Sequence, residues 1–304
     1  IVGCGTRILN YYIYSTAENE IKQMNKKLED FKVVNINCNI FDQKRAHKFN
    51  ECLRAKAKEI QMSSDAIFFV IAILLCRKTD PKLISHFDDK TDGFIIAEYL
   101  TKFIKDYYKD TLFYKSFDFM KYNVKKHQLY DLIKMLDFDI KYYTNDVLNQ
   151  FYSEFMFYNS KPKEGVVLTP HDIVELMVKE LDIKKGESIM DCCTGTGSFL
   201  IEASKYTDDL TGCEIKEDLY TIAKSNFILH DLKTDKLFFN NCFNQSFGKY
   251  DHIILNPPYN IECDDNGEIK DIYGWRDFNI EQKFIIYQLQ YLKENGTGCF
   301  IIPR

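Results

Sequence analysis

The chain has 304 residues, 45% of them hydrophobic, enough for one large domain or two ordinary ones with a substantial core. A net charge of −5 and a pI of about 5.8 exclude a protein that coats nucleic acid by bulk charge, so any contact with DNA must come from a local basic patch or a partner. Ten cysteines form no C-x-x-C pair and no zinc-spaced cluster, no apolar run approaches the roughly 18 residues of a membrane span, and no signal peptide is visible, which together predict reduced thiols, no metal and a cytoplasmic, non-secreted protein.

Residues 1–40 read as the tail of an upstream α/β domain, because their pattern differs from that of the helical residues after them. Ile8 to Tyr14 is strand-like, Thr16 to Asp30 is amphipathic with a helical period and Thr16 as its N-cap, and Phe31 to Ile36 is strand-like again. Gly3-Cys4-Gly5-Thr6 is a lone G-x-G and reads as a turn. The chain starts at Ile1 and stops after Ile302-Pro303-Arg304, which reads as a fragment of something longer.

Residues 41–160 read as a helical domain. Gln43 to Gln61 is charged and amphipathic. Asp65 to Arg77 is apolar, with Ala66 to Cys76 fit for a buried helix and Ser63 or Ser64 as its cap. Asp92 to Tyr108 carries an apolar stripe of Phe94, Ile95, Ala97, Leu100, Phe103 and Ile104. His127 to Leu136 and Asn145 to Phe157 continue the pattern. Aromatics between Tyr107 and Tyr122 alternate with lysines. That interleaving suits either a nucleic-acid surface or, the favoured reading, a bundle core with snorkelling lysines.

The polar stretch Asn159 to Gly165, with both Pro and Gly, marks a boundary, and residues 161–304 alternate strands and helices. Thr169 is a candidate N-cap, with Pro170 opening a helix to about Leu181. Strand Ser188–Cys192, helix Ser198–Tyr206, strand Leu210–Glu214 and helix Lys216–Asp231 come next. Strands Lys236–Asn240 and His252–Leu255, helix Ile280–Glu294 and strand Gly298–Ile302 complete the series. This alternation predicts an α/β fold with a parallel sheet and helices on both faces.

Two stretches carry chemistry. Met190-Asp191-Cys192-Cys193-Thr194-Gly195-Thr196-Gly197-Ser198-Phe199 sits where the first strand of the sheet meets its helix. Gly195 and Gly197 permit a sharp turn and close approach of a ligand, and the free N–H groups of the helix start face the crevice at the carboxyl edge. The loop lacks the third glycine of a dinucleotide fingerprint and the Gly-Lys-Ser/Thr of a P-loop. Asp191 adds an acceptor for a ligand ammonium. Glu214 ends the second strand 23 residues later, close to the spacing at which an acid meets ribose hydroxyls. Loop and acid together describe a nucleoside-bearing cofactor. The second stretch is Asn256-Pro257-Pro258-Tyr259, where an apolar strand stops because neither proline can donate to the ladder. The Asn256 side-chain oxygen and the Pro257 carbonyl can accept the two N–H groups of a flat amine, and Tyr259 can stack on the ring that bears it.

Asp-Cys-Cys-Thr-Gly-Thr-Gly-Ser-Phe resembles the S-adenosylmethionine loop of amino-methyltransferases, and Asn-Pro-Pro-Tyr is similar to their catalytic motif. Leu168-Thr169-Pro170-His171 resembles the Phe-Thr-Pro-Arg segment that precedes the loop in the γ motif order. In this order the motifs resemble the modification subunit of type I restriction–modification systems, the N6-adenine DNA methyltransferases, over roughly residues 45–304. The resemblance implies a Rossmann-like S-adenosylmethionine-dependent sheet preceded by a helical domain. It implies that Leu168, Thr169, Pro170, His171, Asp191, Gly195, Thr196, Gly197, Ser198 and Glu214 hold the cofactor, and that Asn256, Pro257, Pro258 and Tyr259 hold a flipped-out adenine. Asn241 stands where the family usually has an Asp that binds the cofactor adenine, a weaker acceptor. Ser198 replaces the second Gly and His171 the Arg.

The implied activity is methyl transfer from S-adenosyl-L-methionine to adenine N6 in double-stranded DNA, as part of a restriction–modification system. The implied partners are a specificity subunit or a fused target-recognition domain, and a restriction nuclease subunit or domain. Cys192 and Cys193 read as loop packing, since the chemistry needs neither metal nor covalent cysteine. A protein glutamine-N5 methyltransferase, which faces the same nitrogen problem with the same motif, and a non-catalytic S-adenosylmethionine-binding scaffold are the alternatives.

Overall fold

The computed structural model describes residues 10–15, 20–24, 43–56, 65–121, 129–140, 143, 146–158, 168–258 and 279–302. In chain order its elements begin with strands β1 (Asn10–Ser15) and β2 (Glu20–Met24). Helices α1 (Gln43–Lys56), α2 (Asp65–Thr79), α3 (Gly93–Tyr107), α4 (Leu129–Met135) and α5 (Val147–Tyr158) come after them. Then come α6 (His171–Glu180), β3 (Ser188–Asp191), α7 (Ser198–Ala203), β4 (Asp209–Glu214), α8 (Glu217–Leu229) and β5 (Leu237–Phe239). Strand β6 (Tyr250–Leu255), helix α9 (Ile280–Leu289) and strand β7 (Leu292–Ile302) end the series.

Two compact units emerge, one of residues 1–36, 162–220 and 235–304 and one of residues 37–161 and 221–234. The first is built on a seven-stranded sheet in the order β2-β1-β7-β6-β3-β4-β5. Strands β7, β6, β3, β4 and β5 run parallel. Within this parallel part the chain begins at the middle strand β3, winds outward to β4 and β5, then returns to lay β6 on the other side of β3. That reversal opens a crevice at the carboxyl ends of β3 and β6, the place where open α/β sheets take ligands. Strand β3 is buried throughout, as expected of a parallel strand covered on both faces. Beneath the crevice, Met190, Ile253, Leu255, Phe284, Tyr287 and Phe300 pack in one apolar cluster.

The N-terminal strands depart from expectation. Glu20–Met24, which by its period reads as the middle of an amphipathic helix, is a strand paired antiparallel to β1, and β1 pairs antiparallel to β7 with Tyr12 opposite Phe300. An unpaired edge on β7 would leave a row of backbone donors and acceptors exposed, and pairing there overrides a local helical period. Residues 10–24, which sequence alone sets apart as the tail of another domain, thus contribute two strands to this sheet. The expected strand at Phe31–Ile36, the Ser63/Ser64 cap and the Asn159–Gly165 boundary lie outside the described residues.

In the second unit, all residues from Ala66 to Cys76 of α2 are buried, as an all-apolar helix demands. Phe117 meets Phe68 edge-on with ring centroids 5.6 Å apart, and Phe119 meets Phe69 in the same way at 5.6 Å. These aromatics of the lysine-interleaved stretch therefore form bundle core. Helix α3 is capped by Asp92, whose Oδ1 accepts from the Phe94 N–H at 2.9 Å. Its buried face is Ile96, Ala97, Leu100 and Ile104; Phe94 and Ile95, placed in the stripe by sequence, are about half exposed. Residues 221–234, which the strand–helix alternation assigns to the α/β domain, belong with this unit. Lys224 pairs with Asp110, and Lys78 Nζ lies 2.7 Å from Asp231 Oδ1. No helix among the described residues is long and apolar enough to cross a membrane.

Candidate active site

Four strand ends supply one pocket of about 360 Å³ in the sheet unit, within the roughly 300–1,000 Å³ usual for cofactor-sized ligands. The loop after β3 forms one wall. Gly195 (φ +58) and Gly197 (φ +90) both take the left-handed conformation that side chains disfavour. Thr194 ties this loop to β4. Its N–H donates to the Cys213 carbonyl at 3.1 Å, its hydroxyl donates to the Asp191 carbonyl at 2.7 Å, and the same oxygen accepts from the Cys213 N–H at 2.9 Å.

Glu214, at the end of β4, joins the loop to the start of α8. One carboxylate oxygen accepts from the Gly195 N–H at 2.9 Å and the other from the Lys216 N–H at 2.8 Å. Burial pushes its pKa up, opposed by these backbone donors. A carboxylate has about four lone-pair sites, so these two bonds orient it without exhausting its capacity as an acceptor. Asp191 is fully buried. Its Oδ1 accepts from the Cys193 N–H at 3.0 Å, and its Oδ2 has no hydrogen-bond partner. Burial, with the Glu214 charge adding to it, pushes its pKa up to about 8. Asp191 therefore lies beneath the loop and does not line the pocket, unlike the ammonium acceptor expected from sequence.

The opposite wall comes from β6 and from the segment before α6. Asn256, Pro257 and Pro258 line the pocket where β6 ends, as do Leu168 and Thr169. The Asn256 Nδ2 donates to Thr169 Oγ1 at 2.8 Å. Thr169 is thus not the helix cap that its spacing suggests. Helix α6 starts at His171, the cap position is Pro170 in an extended conformation, and no side chain caps it. Pro170 and His171 do not line the pocket, nor does Gly197, whose part is the turn into α7. Tyr259 lies outside the described residues. Thr196 and Ser198 line the loop wall, their hydroxyls 3.1 Å apart. Asn241 also lines the pocket, with its Oδ1 accepting from the Phe243 N–H at 3.0 Å in a short 3₁₀ turn.

Cys192, Cys193 and Cys242 border the pocket. Burial raises the Cys192 thiol well above its ordinary range and pushes Cys193 up to about 12, so both remain protonated and are poor nucleophiles. Among the described residues no cluster of His, Cys, Asp and Glu could hold a metal ion. Sequence reasoning misses Phe243, Ile280 and Phe284, which supply apolar lining. Ile280 and Phe284 stand one helical turn apart at the start of α9, so their spacing is the available signal.

The N-6 DNA Methylase family model matches residues 143–304. The chain is 32% identical over 182 residues to the type II restriction enzyme and methyltransferase RM.BcgI of Heyndrickxia coagulans, covering 52% of this chain and 27% of that protein. It is 29% identical over 169 residues to the type I restriction enzyme MjaVII methylase subunit of Methanocaldococcus jannaschii, covering 49% of this chain and 29% of that one. The chain thus spans less than a third of the length of either relative. A modification subunit of a putative type I restriction enzyme from Vibrio vulnificus YJ016 shares the fold, with a TM-score of 0.55 at 17% identity over 85% of this chain and 69% of that chain.

Proposed function

The chain belongs to the N-6 DNA methylase family, and we propose that it transfers a methyl group from S-adenosyl-L-methionine to N6 of an adenine flipped out of double-stranded DNA, within a restriction–modification system. The observation that carries this reading is the convergence in one pocket of the Gly195 loop, the buried acid Glu214 and the Asn256-Pro257-Pro258 strand end. The residues fit an adenosyl cofactor. Gly195 leaves its ligand-facing side open, a Cβ there meeting only the Cys193 carbonyl at 3.8 Å. Glu214 is oriented to accept from ribose hydroxyls. Asp191, buried with its Oδ2 orphaned, braces the loop from beneath by accepting from the Cys193 N–H.

When bound, S-adenosylmethionine supplies a methyl group on a sulfonium, already a strong electrophile. The chain's task is then alignment. The lone pair of an exocyclic adenine nitrogen is delocalised into the ring and is a poor nucleophile. Asn256 Oδ1 and the Pro257 carbonyl accept its two N–H groups and favour a pyramidal nitrogen pointing into the pocket. Holding the nitrogen in line supplies much of the acceleration. The leaving N6 proton passes to solvent, since a carboxamide and a carbonyl are not bases. Unstacking the base costs a few kcal/mol, offset in part by stacking on Tyr259.

With a net charge of −5, the DNA grip falls to local patches and to partners, a specificity subunit or a target-recognition domain. The test is methyl transfer by the full-length protein to duplex DNA measured beside transfer to a protein bearing Gly-Gly-Gln. The reading expects incorporation into DNA. Incorporation only into protein would reassign the site to glutamine methylation, and none into either would leave a cofactor-binding scaffold.

A further inference from the structure

We propose that Asn241 meets the base of the cofactor as a hydrogen-bond donor, so that the purine is held there through a ring nitrogen and not through its amino group. This rests on the reading of the pocket as an adenosyl site. Glu214, at the end of β4, is oriented for ribose hydroxyls. Strand β5 lies beside β4 on the side away from β3, so the turn after β5 borders the part of the pocket beyond the ribose, which falls to the base. Asn240, Asn241 and Phe243 of that turn line the pocket, as does Ile215, which at 58% exposure offers a flat ring an apolar face.

The turn fixes which end of the Asn241 carboxamide is offered. A backbone N–H can only donate, so the side-chain atom that meets it must be the oxygen. The Phe243 N–H donates to Asn241 Oδ1 at 3.0 Å. Nδ2 is therefore the outer end, and it makes no hydrogen bond to a described residue. A half-turn of the carboxamide would set donor against donor and lose the bond to Phe243. Asn240 holds the backbone in place. Its Oδ1 accepts from the Asn241 N–H at 2.8 Å, its Nδ2 donates to Gln245 Oε1 at 3.0 Å, and its own N–H donates to the Glu214 carbonyl at 3.1 Å. Both ends of the Asn240 side chain are thus engaged within the turn, and Asn241 is the one of the pair with a polar end to offer. Sequence alone makes Asn241 a weak acceptor. With its oxygen held in the turn, it presents N–H groups instead. These repel an exocyclic amino group, whose own hydrogens point outward, and they match a ring nitrogen, whose lone pair lies in the plane of the ring.

The experiment measures S-adenosylhomocysteine affinity by calorimetry in the full-length protein. Asn241→Asp keeps the turn, because a carboxylate also accepts from the Phe243 N–H, but it makes the outer atom an acceptor. Affinity should fall about tenfold, the upper scale of one hydrogen bond, with the melting temperature unchanged. Tighter binding in Asn241→Asp would overturn the inference, since the carboxylate would then be accepting from the amino group. An affinity within about twofold of the wild type would overturn it as well. A second readout starts from the wild type and uses analogues of S-adenosylhomocysteine in which C–H replaces N1, N3 or N7. One of the three should bind about three- to tenfold more weakly than the parent compound, and that deficit should vanish in Asn241→Asp. Three analogues that bind like the parent, or a deficit that persists in Asn241→Asp, would overturn the inference. A wild type that bound no S-adenosylhomocysteine would bring down the adenosyl reading and this inference together. The expected deficits without methyl transfer to DNA would uphold the inference and remove only the proposed reaction.

Discussion

Gly212 lies in the middle of β4, directly under the glycine loop. A Cβ placed there would come within 2.6 Å of Thr194 Oγ1, 2.7 Å of Leu237 Cδ1 and 2.9 Å of Leu200 Cδ1. The two leucine methyls are ends of flexible side chains and can move. Thr194 Oγ1 cannot move cheaply, since it donates to the Asp191 carbonyl at 2.7 Å and accepts from the Cys213 N–H at 2.9 Å. Gly212→Ala should therefore incur an overpacking cost of about 1–3 kcal/mol and weaken two buried hydrogen bonds worth about 0.5–1.5 kcal/mol each. Against this stands a gain of about 0.4–1 kcal/mol from a stiffer unfolded chain. The net expectation is a loss of roughly 2–4 kcal/mol. Urea unfolding with unchanged slope would measure it. Gly248→Ala is the control, because a Cβ there meets nothing within 4 Å. Since Thr194 and Gly195 line the pocket, affinity for S-adenosylhomocysteine should fall as well. A Gly212→Ala protein within about 0.5 kcal/mol of wild type would refute the claim that Thr194 is locked between β3 and β4.

Burial raises the Asp191 pKa from 3.8 to about 8, so between those values the folded protein holds a proton there that the unfolded chain has lost. The stability this residue contributes is present below pH 4 and declines as pH rises towards 8. Asp191→Asn should remove that decline, and the variant should gain on the wild type from pH 5 to pH 8 in urea midpoints; parallel profiles would speak against a buried neutral acid. Tyr259→Ala should raise the KM for DNA by the loss of about 1–3 kcal/mol of base stacking, whereas Tyr259→Phe should be mild. Equal damage from the two would make the hydroxyl the working group.

The parallel sheet was legible because the strands expected at Ser188–Cys192, Leu210–Glu214 and His252–Leu255 alternate with helices and are bounded by turn chemistry, and β3, β4 and β6 lie near those limits. The glycine loop and the Asn-Pro-Pro segment were legible because left-handed glycines and ladder-breaking prolines are local constraints. What depends on contacts between distant parts of the sequence was not. Nothing near Thr169 announces Asn256 as its partner, and its place before a helix argues for a cap. Nothing between Glu20 and Met24 announces an antiparallel neighbour, and the local period argues for a helix. Phe94 and Ile95 follow the helical stripe closely enough to be placed in it, yet the phase of α3 leaves them outside. Asp191 is recognisable as an acid at a strand end, but only the tertiary structure buries it beneath the loop that it precedes.

The most direct test of the central claim uses the full-length protein, with any specificity partner it requires, incubated with duplex DNA and S-adenosylmethionine. The DNA is then digested to nucleosides and the methylated bases are quantified by mass. The account predicts N6-methyladenine without 5-methylcytosine, and its loss in Asn256→Ala with cofactor affinity nearly intact. Near-normal turnover in Asn256→Ala, or 5-methylcytosine as the product, would contradict it.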